Sequence, residues 1–179
     1  FTDSPAQGGR WIVFNGEIYN HAEIRQQFNI AGNTSSDTET LLLLYDRFGS
    51  DFLDYLDGMF AFAIHDKLKN EIFIARDRAG KKPFYYYKDE KKFAFASELN
   101  CLKEMVSPQI EPQHFYQYLR LGSFYRQFTP YKNVTELAGG SFIVVNCDTL
   151  AIRETRWWNI NDYYQKHSDD SLRESIEKT

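Results

Sequence analysis

The chain has 179 residues, of which 42% are hydrophobic and 17% aromatic, and its 21 basic and 25 acidic residues give a formal charge of -4. This length and composition predict one ordered domain with a sizeable core, and they exclude a disordered or low-complexity chain. The charges are scattered, without the polybasic block that nucleic acid or an anionic membrane surface would attract, so we expect neither as a partner.

The chain opens with a turn signal followed by a strand and a helix. Residues 1–10, with Pro5 and the glycine pair at 8–9, indicate a turn or hairpin that leads into a strand at 11–14. Apolar residues at helical spacing then predict an amphipathic helix over 21–28.

A second amphipathic helix, over 38–48, is marked at both ends. Ser36 and Glu39 form an S-x-x-E capping box before it, in which each side chain bonds the backbone N–H of the other. Gly49 follows its last turn, as is typical of a helix C-terminus.

Four short runs rich in aromatic and β-branched residues come next, at 58–65, 71–75, 84–87 and 92–96. Charged or turn-forming linkers separate them, and we interpret the four runs as an antiparallel meander. Residues 59–64 are apolar at every position, which predicts a strand covered on both faces. A layered arrangement of helices and sheets follows.

The last part of the sequence predicts two helices and a strand pair. The helices are expected at 97–105 and 112–121, and the strands at 141–145 and 151–157. Residues 168–179 predict a charged helix with too little apolar surface to pack alone, which we interpret as the start of another part of the protein.

Cysteine, histidine and hydropathy patterns indicate neither a metal site nor a membrane segment. Cys101 and Cys147 form no CxxC or Cys–His spacing, so we expect two reduced and mostly buried thiols. The four histidines are dispersed, without HExxH spacing, and predict no metal site. The longest apolar run is too short to span a bilayer and the N-terminus has no signal-peptide pattern, so we expect a cytoplasmic protein.

The pair Asn15-Gly16 carries the strongest chemical signal. A carboxamide can donate a hydrogen bond to a developing oxyanion, and a glycine lets a backbone N–H approach the same oxygen, so the pair can form a two-donor oxyanion hole. Asn-Gly is also the strongest short signal for a tight turn, and the residues alone favour that turn. The flanking residues do not form two matched strands, which weakens the turn interpretation.

Five strings of the sequence resemble a known family in their order and approximate spacing. They are NGEIYNHAEIR, SDTETLLLLYDRFG, LDGMFAFAIHD, IARDRAGKKPFYYY and FASEL. Together they resemble the glutaminase domain of asparagine synthetase B-type enzymes, a class II glutamine amidotransferase domain with an N-terminal nucleophile. The resemblance implies an α+β fold, a four-layer αββα sandwich of the N-terminal-nucleophile hydrolase type that is incomplete at its N-terminus here. It implies hydrolysis of glutamine to glutamate and ammonia.

The resemblance also assigns site residues. It implies that the Asn15 side-chain amide and the Gly16 N–H form the oxyanion hole, and that Glu17 and Asp37 hold the α-ammonium group of glutamine. An ammonium with three donors needs acceptors, and paired carboxylates supply both acceptors and charge. Asp37 has a second interpretation, because an acidic residue in the first turn of a helix favours the macrodipole. Glu17 also has a second interpretation, as a solvated residue at the start of a helix.

The nucleophile implied by the resemblance is an N-terminal cysteine whose own α-amino group serves as the base. Residue 1 here is Phe1, and neither Cys101 nor Cys147 can offer an α-amine. We therefore expect this cysteine, and the arginine for the glutamine carboxylate, on a segment before Asp3 that the chain lacks, and we expect the chain alone to be inactive.

The resemblance implies the surrounding protein as well. It places a partial glutaminase domain at 1–160, and at 161–179 a linker and the first helix of a C-terminal synthetase domain. The chain lacks the SGGxDS signature, so we expect no cofactor in it and expect ATP and Mg in the synthetase domain. Glutamine and the synthetase domain are the expected partners, and a homodimer is left open.

Two smaller matches and two alternative functions complete the interpretation. Arg76-Asp77-Arg78 resembles a family loop but serves as readily to brace two strands, and the segment Leu137-Ala138-Gly139-Gly140 departs from the family pattern Leu-x-Pro-Gly, so we assign neither segment to catalysis. One alternative function is amidation of a sugar, peptide or β-lactam precursor. The other is a catalytically dead binding domain.

Overall fold

The computed structural model describes residues 9–125 and 127–162. Its α-helices are α1 (His21–Gln27), α2 (Asp37–Phe48), α3 (Leu99–Val106) and α4 (Pro112–Leu121), and a 3-10 helix spans Gly49–Tyr55. Its strands are β1 (Arg10–Ile18), β2 (Gly58–Asp66), β3 (Glu71–Arg76), β4 (Tyr85–Lys88), β5 (Phe93–Ala96), β6 (Val134–Glu136), β7 (Ser141–Asn146) and β8 (Ile152–Arg156). The expected N-terminal turn before residue 9 and the charged helix at 168–179 lie outside the described residues.

The strands form two antiparallel sheets. The larger sheet has the order β1-β2-β3-β7-β8, and the smaller sheet has the order β5-β4-β6. The predicted single meander is therefore wrong, because β2–β3 and β4–β5 are hairpins of different sheets. The free edge of β3 pairs with β7 instead of β4, and the loop from Asp77 to Phe84 carries the chain from the larger sheet to the smaller one.

Two hydrophobic cores lie between four layers. One core joins α1, α2 and the 3-10 helix to the larger sheet, and the other lies between the two sheets. Strand β2 contributes to both, since its phenylalanines Phe60 and Phe62 face the helices and its alanines Ala61 and Ala63 face the smaller sheet. The prediction that this strand is covered on both faces is confirmed. Helix α3 packs against β4 and β5 as the fourth layer and buries Leu102.

Most predicted elements are confirmed with small shifts at their ends, β1 continues to Ile18 beyond its predicted end at residue 14, and two elements were missed. The short strand β6 and the 3-10 helix had no sequence prediction. Both are short and depend on tertiary partners, since β6 pairs with β4 and the 3-10 helix buries Phe52 and Leu53 in the helix-side core. None of the helices within the described ranges has the length and apolar character that crossing a membrane requires.

Helix α4 forms over the predicted residues but buries none of them. Five of its large apolar side chains are exposed, namely Phe115, Tyr116, Tyr118, Leu119 and Leu121. Its C-cap is Gly122, which has a φ of 73°. The helix is therefore well defined at its ends without being covered along its length.

Candidate active site

The segment Asn15-Gly16-Glu17 lies inside β1, which continues unbroken to Ile18. Its three residues pair with three successive residues of β2, so the alternative of a tight turn at Asn-Gly is wrong. The turn signal is overridden because β2 offers a strand partner along this whole segment. Asn15 shares the face of Val13, which packs in the core between the sheets.

Gly16 is the position where β1 requires a glycine. Its φ is 149°, and a Cβ at this position would lie 2.1 Å from the carbonyl oxygen of Met59. Its partner in β2 is Phe60, whose N–H and C=O both bond Asp77 on the side away from β1. Gly16 and Phe60 therefore form a pair without mutual hydrogen bonds. The N–H of Gly16 therefore points to the free edge of β1.

Asp37, the first residue of α2, lies at the same edge. Its Oδ2 accepts a hydrogen bond from the N–H of Ile18 at 3.2 Å, and its Oδ1 accepts one from the N–H of Thr38 at 2.7 Å. Because two residues of a strand span about 7 Å, the carboxylate lies roughly that far along the edge from the N–H of Gly16. A carboxylate that can bind a cation and an N–H that can donate to an oxyanion thus lie along one edge of β1.

Glu17 completes this corner. Its side chain is exposed, and it makes no hydrogen bond or ion pair with any residue that the structure describes. It shares the strand face of Asn15. The four residues assigned from the sequence are thus brought together, while their roles in binding and catalysis stay predictions.

A cavity of about 580 Å³ opens beside Asn15, between the two sheets. Its lining includes Val13, Phe84, Phe93, Phe95, Ser97 and Cys101. At its rim, Nδ2 of Asn15 donates a hydrogen bond to Oγ of Ser97 at 3.1 Å. Sequence analysis did not single out Ser97, although it lies within the string FASEL.

The two cysteines differ from the expectation of mostly buried thiols. Cys101 is exposed, because α3 turns this residue away from the face that buries Leu102, and the expectation is wrong for it. Cys147 is half-buried, and burial together with the charges of Asp148 and Glu71 raises the pKa of its thiol. A raised pKa keeps Cys147 protonated and a poor nucleophile at neutral pH.

An ion pair between Arg25 and Glu39 fixes the loop that leads into α2. Arg25 donates to Glu39 at 3.1 Å and to the carbonyl oxygens of Thr34 and Ser36. Glu39 accepts from the N–H groups of Asn33 and Thr34, both at 2.8 Å. This network holds the start of α2, and with it Asp37, against α1.

Ser36 is confirmed as the N-cap of α2, but the predicted capping box with Glu39 is wrong. Oγ of Ser36 accepts from the N–H of Thr38, so Ser36 is the N-cap. Glu39 does not bond back to the N–H of Ser36, because its carboxylate is already held further back at Asn33 and Thr34. Burial opposes ionisation, yet these bonds and Arg25 lower the pKa of Glu39 to about 2.

The loop after β3 braces β1 from the far side of β2. The Asp77 carboxylate accepts four backbone N–H groups, those of Phe60, Ala79, Lys81 and Lys82. Arg76 donates to the carbonyl oxygens of Gly80, Lys82 and Leu137 and pairs with Glu136. The interpretation of this loop as a structural brace fits these contacts, since they fix Phe60 opposite Gly16.

Comparison with known proteins identifies the family. Residues 4–158 match the glutamine amidotransferase domain. The chain belongs to this family. It is 38% identical, over 93% of its length, to a putative glutamine-hydrolyzing asparagine synthetase 2 of Methanocaldococcus jannaschii. It is 33% identical, over 88% of its length, to glutamine-hydrolyzing asparagine synthetase 3 of Bacillus subtilis. The match covers 33% of the first relative and 26% of the second, so this amidotransferase domain spans a third or less of them.

The fold of this amidotransferase domain is similar to that of an enzyme of known structure. The glutamine phosphoribosylpyrophosphate amidotransferase of Bacillus subtilis, solved with ADP and GMP, superposes with a TM-score of 0.59 over 87% of this chain and 30% of that one. The sequence identity is 23%, so the likeness shows the fold alone. The expected class II amidotransferase family and its α+β sandwich of the N-terminal-nucleophile type are confirmed.

Proposed function

We propose that this amidotransferase domain binds glutamine at the free edge of β1 and, in the intact protein, hydrolyses it to glutamate and ammonia. The observation that carries the proposal is the placement of the Gly16 N–H and the Asp37 carboxylate along one edge, with Asn15 beside them. In this proposal the ammonia passes to a C-terminal synthetase domain that uses ATP and Mg to amidate aspartate. The names of the relatives, glutamine-hydrolyzing asparagine synthetases, support aspartate as the acceptor.

The two ends of a glutamine molecule fit the two ends of this edge. The α-ammonium group lies at Asp37 and Glu17, whose carboxylates provide acceptors and opposite charge. The side-chain carbonyl oxygen lies at the N–H of Gly16 and the amide of Asn15. Glu17 is free to close on the ammonium because it has no partner among the described residues.

The chemistry of the proposal is stabilisation of charge at the carbonyl oxygen. A thiolate attacks the side-chain amide, the carbonyl oxygen becomes an oxyanion, and two fixed donors stabilise it more strongly than they stabilise the neutral carbonyl. The nucleophile in this scheme is a cysteine at the mature N-terminus, since only a terminal residue has an α-amine to take the thiol proton. In this scheme, residues 1–160 alone orient glutamine. Residues 161–179 lead to the synthetase domain.

Substitution of Asn15 tests the oxyanion hole. In the protein expressed from its complete gene, Asn15→Ala is expected to lower kcat for glutamate release about 100- to 1,000-fold, because one donor to the oxyanion is lost. KM for glutamine should change little. The control Asn100→Ala removes an exposed amide from α3 and should leave kcat unchanged. Wild-type kcat in Asn15→Ala contradicts the proposal.

Substitution of the two carboxylates tests the ammonium site. Asp37→Asn and Glu17→Gln should each raise KM for glutamine about tenfold with little change in kcat, because the lost attraction acts equally on bound substrate and transition state. The control is Glu23→Gln on the exposed face of α1. With glutaramate, which lacks the α-amino group, the two variants should match the wild type. A defect of the same size with glutamine and with glutaramate refutes the assignment.

The acceptor is tested separately. Supplied with glutamine, ATP and Mg, the same protein should form asparagine from aspartate. Amidation of a different carboxylate leaves the glutaminase proposal intact and overturns only the acceptor.

A further inference from the structure

One hydrogen bond joins the proposed oxyanion hole to the other sheet. Nδ2 of Asn15, in β1 of the larger sheet, donates to Oγ of Ser97, directly after β5 of the smaller sheet. The two residues are 82 positions apart in sequence, and both line the cavity between the sheets. This contact is part of the tertiary structure rather than of any local turn.

The hydroxyl of Ser97 has no local role. A serine just before a helix usually caps it, but the N-cap of α3 is Glu98, and no side chain caps the first turn of this helix. Within the described residues, Asn15 is the one hydrogen-bonding partner of the Ser97 hydroxyl. The hydroxyl is therefore available to act on Asn15.

A carboxamide used as an oxyanion donor needs its orientation fixed. It carries two N–H donors on one side and a carbonyl acceptor on the other, and rotation by half a turn would present the carbonyl oxygen to the negative charge. A hydrogen-bonding partner at the amide nitrogen restrains the side chain in the orientation in which Nδ2 lies beside that partner. Oγ of Ser97 engages one Nδ2 proton of Asn15 and leaves the second proton for a ligand.

We propose that Ser97 is a positioning residue of the glutaminase site, which holds the Asn15 amide so that its second Nδ2 proton faces the oxyanion. The inference rests on the proposed function of Asn15 and adds that the smaller sheet sets the donor geometry of the larger one. Ser97 does not touch glutamine in this arrangement, so its effect passes through Asn15.

The kinetic test uses four variants of the protein expressed from its complete gene. Ser97→Ala should lower kcat for glutamate release about tenfold, the loss expected for one hydrogen bond, with KM for glutamine unchanged. Ser97→Thr keeps the hydroxyl and should retain most of the activity. Ser123→Ala removes an exposed hydroxyl and should have no effect. In the Asn15→Ala background, Ser97→Ala should cause no further loss.

The outcomes separate this inference from the proposed function. A tenfold loss that persists in the Asn15→Ala background, or wild-type kcat in Ser97→Ala, overturns the positioning role while leaving the glutaminase intact. Full activity in Asn15→Ala overturns the role of Asn15 itself, and with it that of Ser97 in catalysis.

A spectroscopic measurement tests the contact independently of turnover. With ¹⁵N-labelled asparagine, the side-chain NH₂ resonances of Asn15 should shift in Ser97→Ala, and their exchange with water should become several-fold faster. Ser97→Thr should preserve the wild-type resonances. Unchanged resonances in Ser97→Ala overturn the inference even if no glutaminase activity is found.

Discussion

Helices α2 and α4 were predicted from the same kind of sequence pattern, but their surroundings in the fold are opposite. Both are amphipathic, both form over nearly the predicted residues, and both end at a glycine with positive φ. Seven of the twelve residues of α2 are buried, whereas α4 buries none. A helical pattern therefore predicts that a helix forms and which face is apolar, but a second element of the fold must cover that face.

The difference extends to polar side chains. Helix α2 buries Thr38, Glu39 and Thr40 as well as its leucines, and it keeps the carboxylate of Glu39 bonded to Arg25 and to two backbone N–H groups. The exposed α4 carries Arg120 as its one charged residue. Helix α2 thus keeps the charged side chain of Glu39 inside the fold, where it holds the start of the helix. Charged side chains are scarce on α4, which faces solvent.

The largest expected effect is a loss of packing in α2. Leu44 is fully buried, so Leu44→Ala should lower the free energy of unfolding of the 179-residue chain by about 3 kcal/mol. Leu119 of α4 is 71% exposed, so Leu119→Ala should cost less than about 0.5 kcal/mol. Urea denaturation measures both losses in the free energy of unfolding, provided that the variants have the same m-value as the wild type. Equal losses would show that α4 is covered in solution and would remove the contrast.

A smaller effect should follow from Glu39. Glu39→Gln weakens the bonds to Arg25, Asn33 and Thr34 and should destabilise the chain by about 2 kcal/mol at neutral pH. Glu104→Gln, on the exposed side of α3, is the matched control and should be neutral.

The pH dependence of this effect has a definite sign. The pKa of Glu39 is lowered from its ordinary value of 4.5 to about 2, so the carboxylate stabilises the fold fully above about pH 5 and loses its contribution as pH falls toward 2. The difference between wild type and Glu39→Gln should therefore shrink over this range in parallel urea titrations. A difference that stays constant from pH 6 to pH 3 contradicts the lowered pKa.

The smallest expected effect is shared by both helices. Gly49 and Gly122 end α2 and α4 with φ values of 59° and 73°, and a Cβ at either position would meet no atom within 4 Å. Gly122→Ala should cost about 1 kcal/mol, because only the left-handed backbone opposes the alanine. Gly49→Ala should cost somewhat more, because its ψ of -133° lies outside the left-handed helical region that alanine can enter. Thermal unfolding of the two variants compares them directly. An equal or smaller loss at Gly49 would contradict this difference in backbone conformation.

Sequence reasoning predicted the elements with local end signals and failed where pairing is long-range. Helix α2 was predicted from Ser36 and Gly49, whereas the partition into two sheets depends on a loop folded around Asp77. No residue pattern within β3 or β4 reports that loop geometry. The exposure of Cys101 likewise depends on how α3 packs against the smaller sheet.

The candidate site divides in the same way. Asn15, Gly16 and Glu17 are neighbours in sequence, and the family resemblance indicated them together with Asp37. The contacts that orient them come from elsewhere in the chain: Arg25 reaches across 14 residues to Glu39, and Ser97 reaches across 82 residues to Asn15. Such contacts have no local signature, because serine, arginine and glutamate at these positions also suit an ordinary surface.

The position of β1 at the edge of the larger sheet has a consequence for solubility. Within the described residues β1 is an edge strand, and an edge strand offers its unpaired N–H and C=O groups to strands of other molecules. Here Asp37 already occupies the N–H of Ile18 with a charged group. The carboxylate that we propose for binding glutamine therefore also discourages edge-to-edge aggregation.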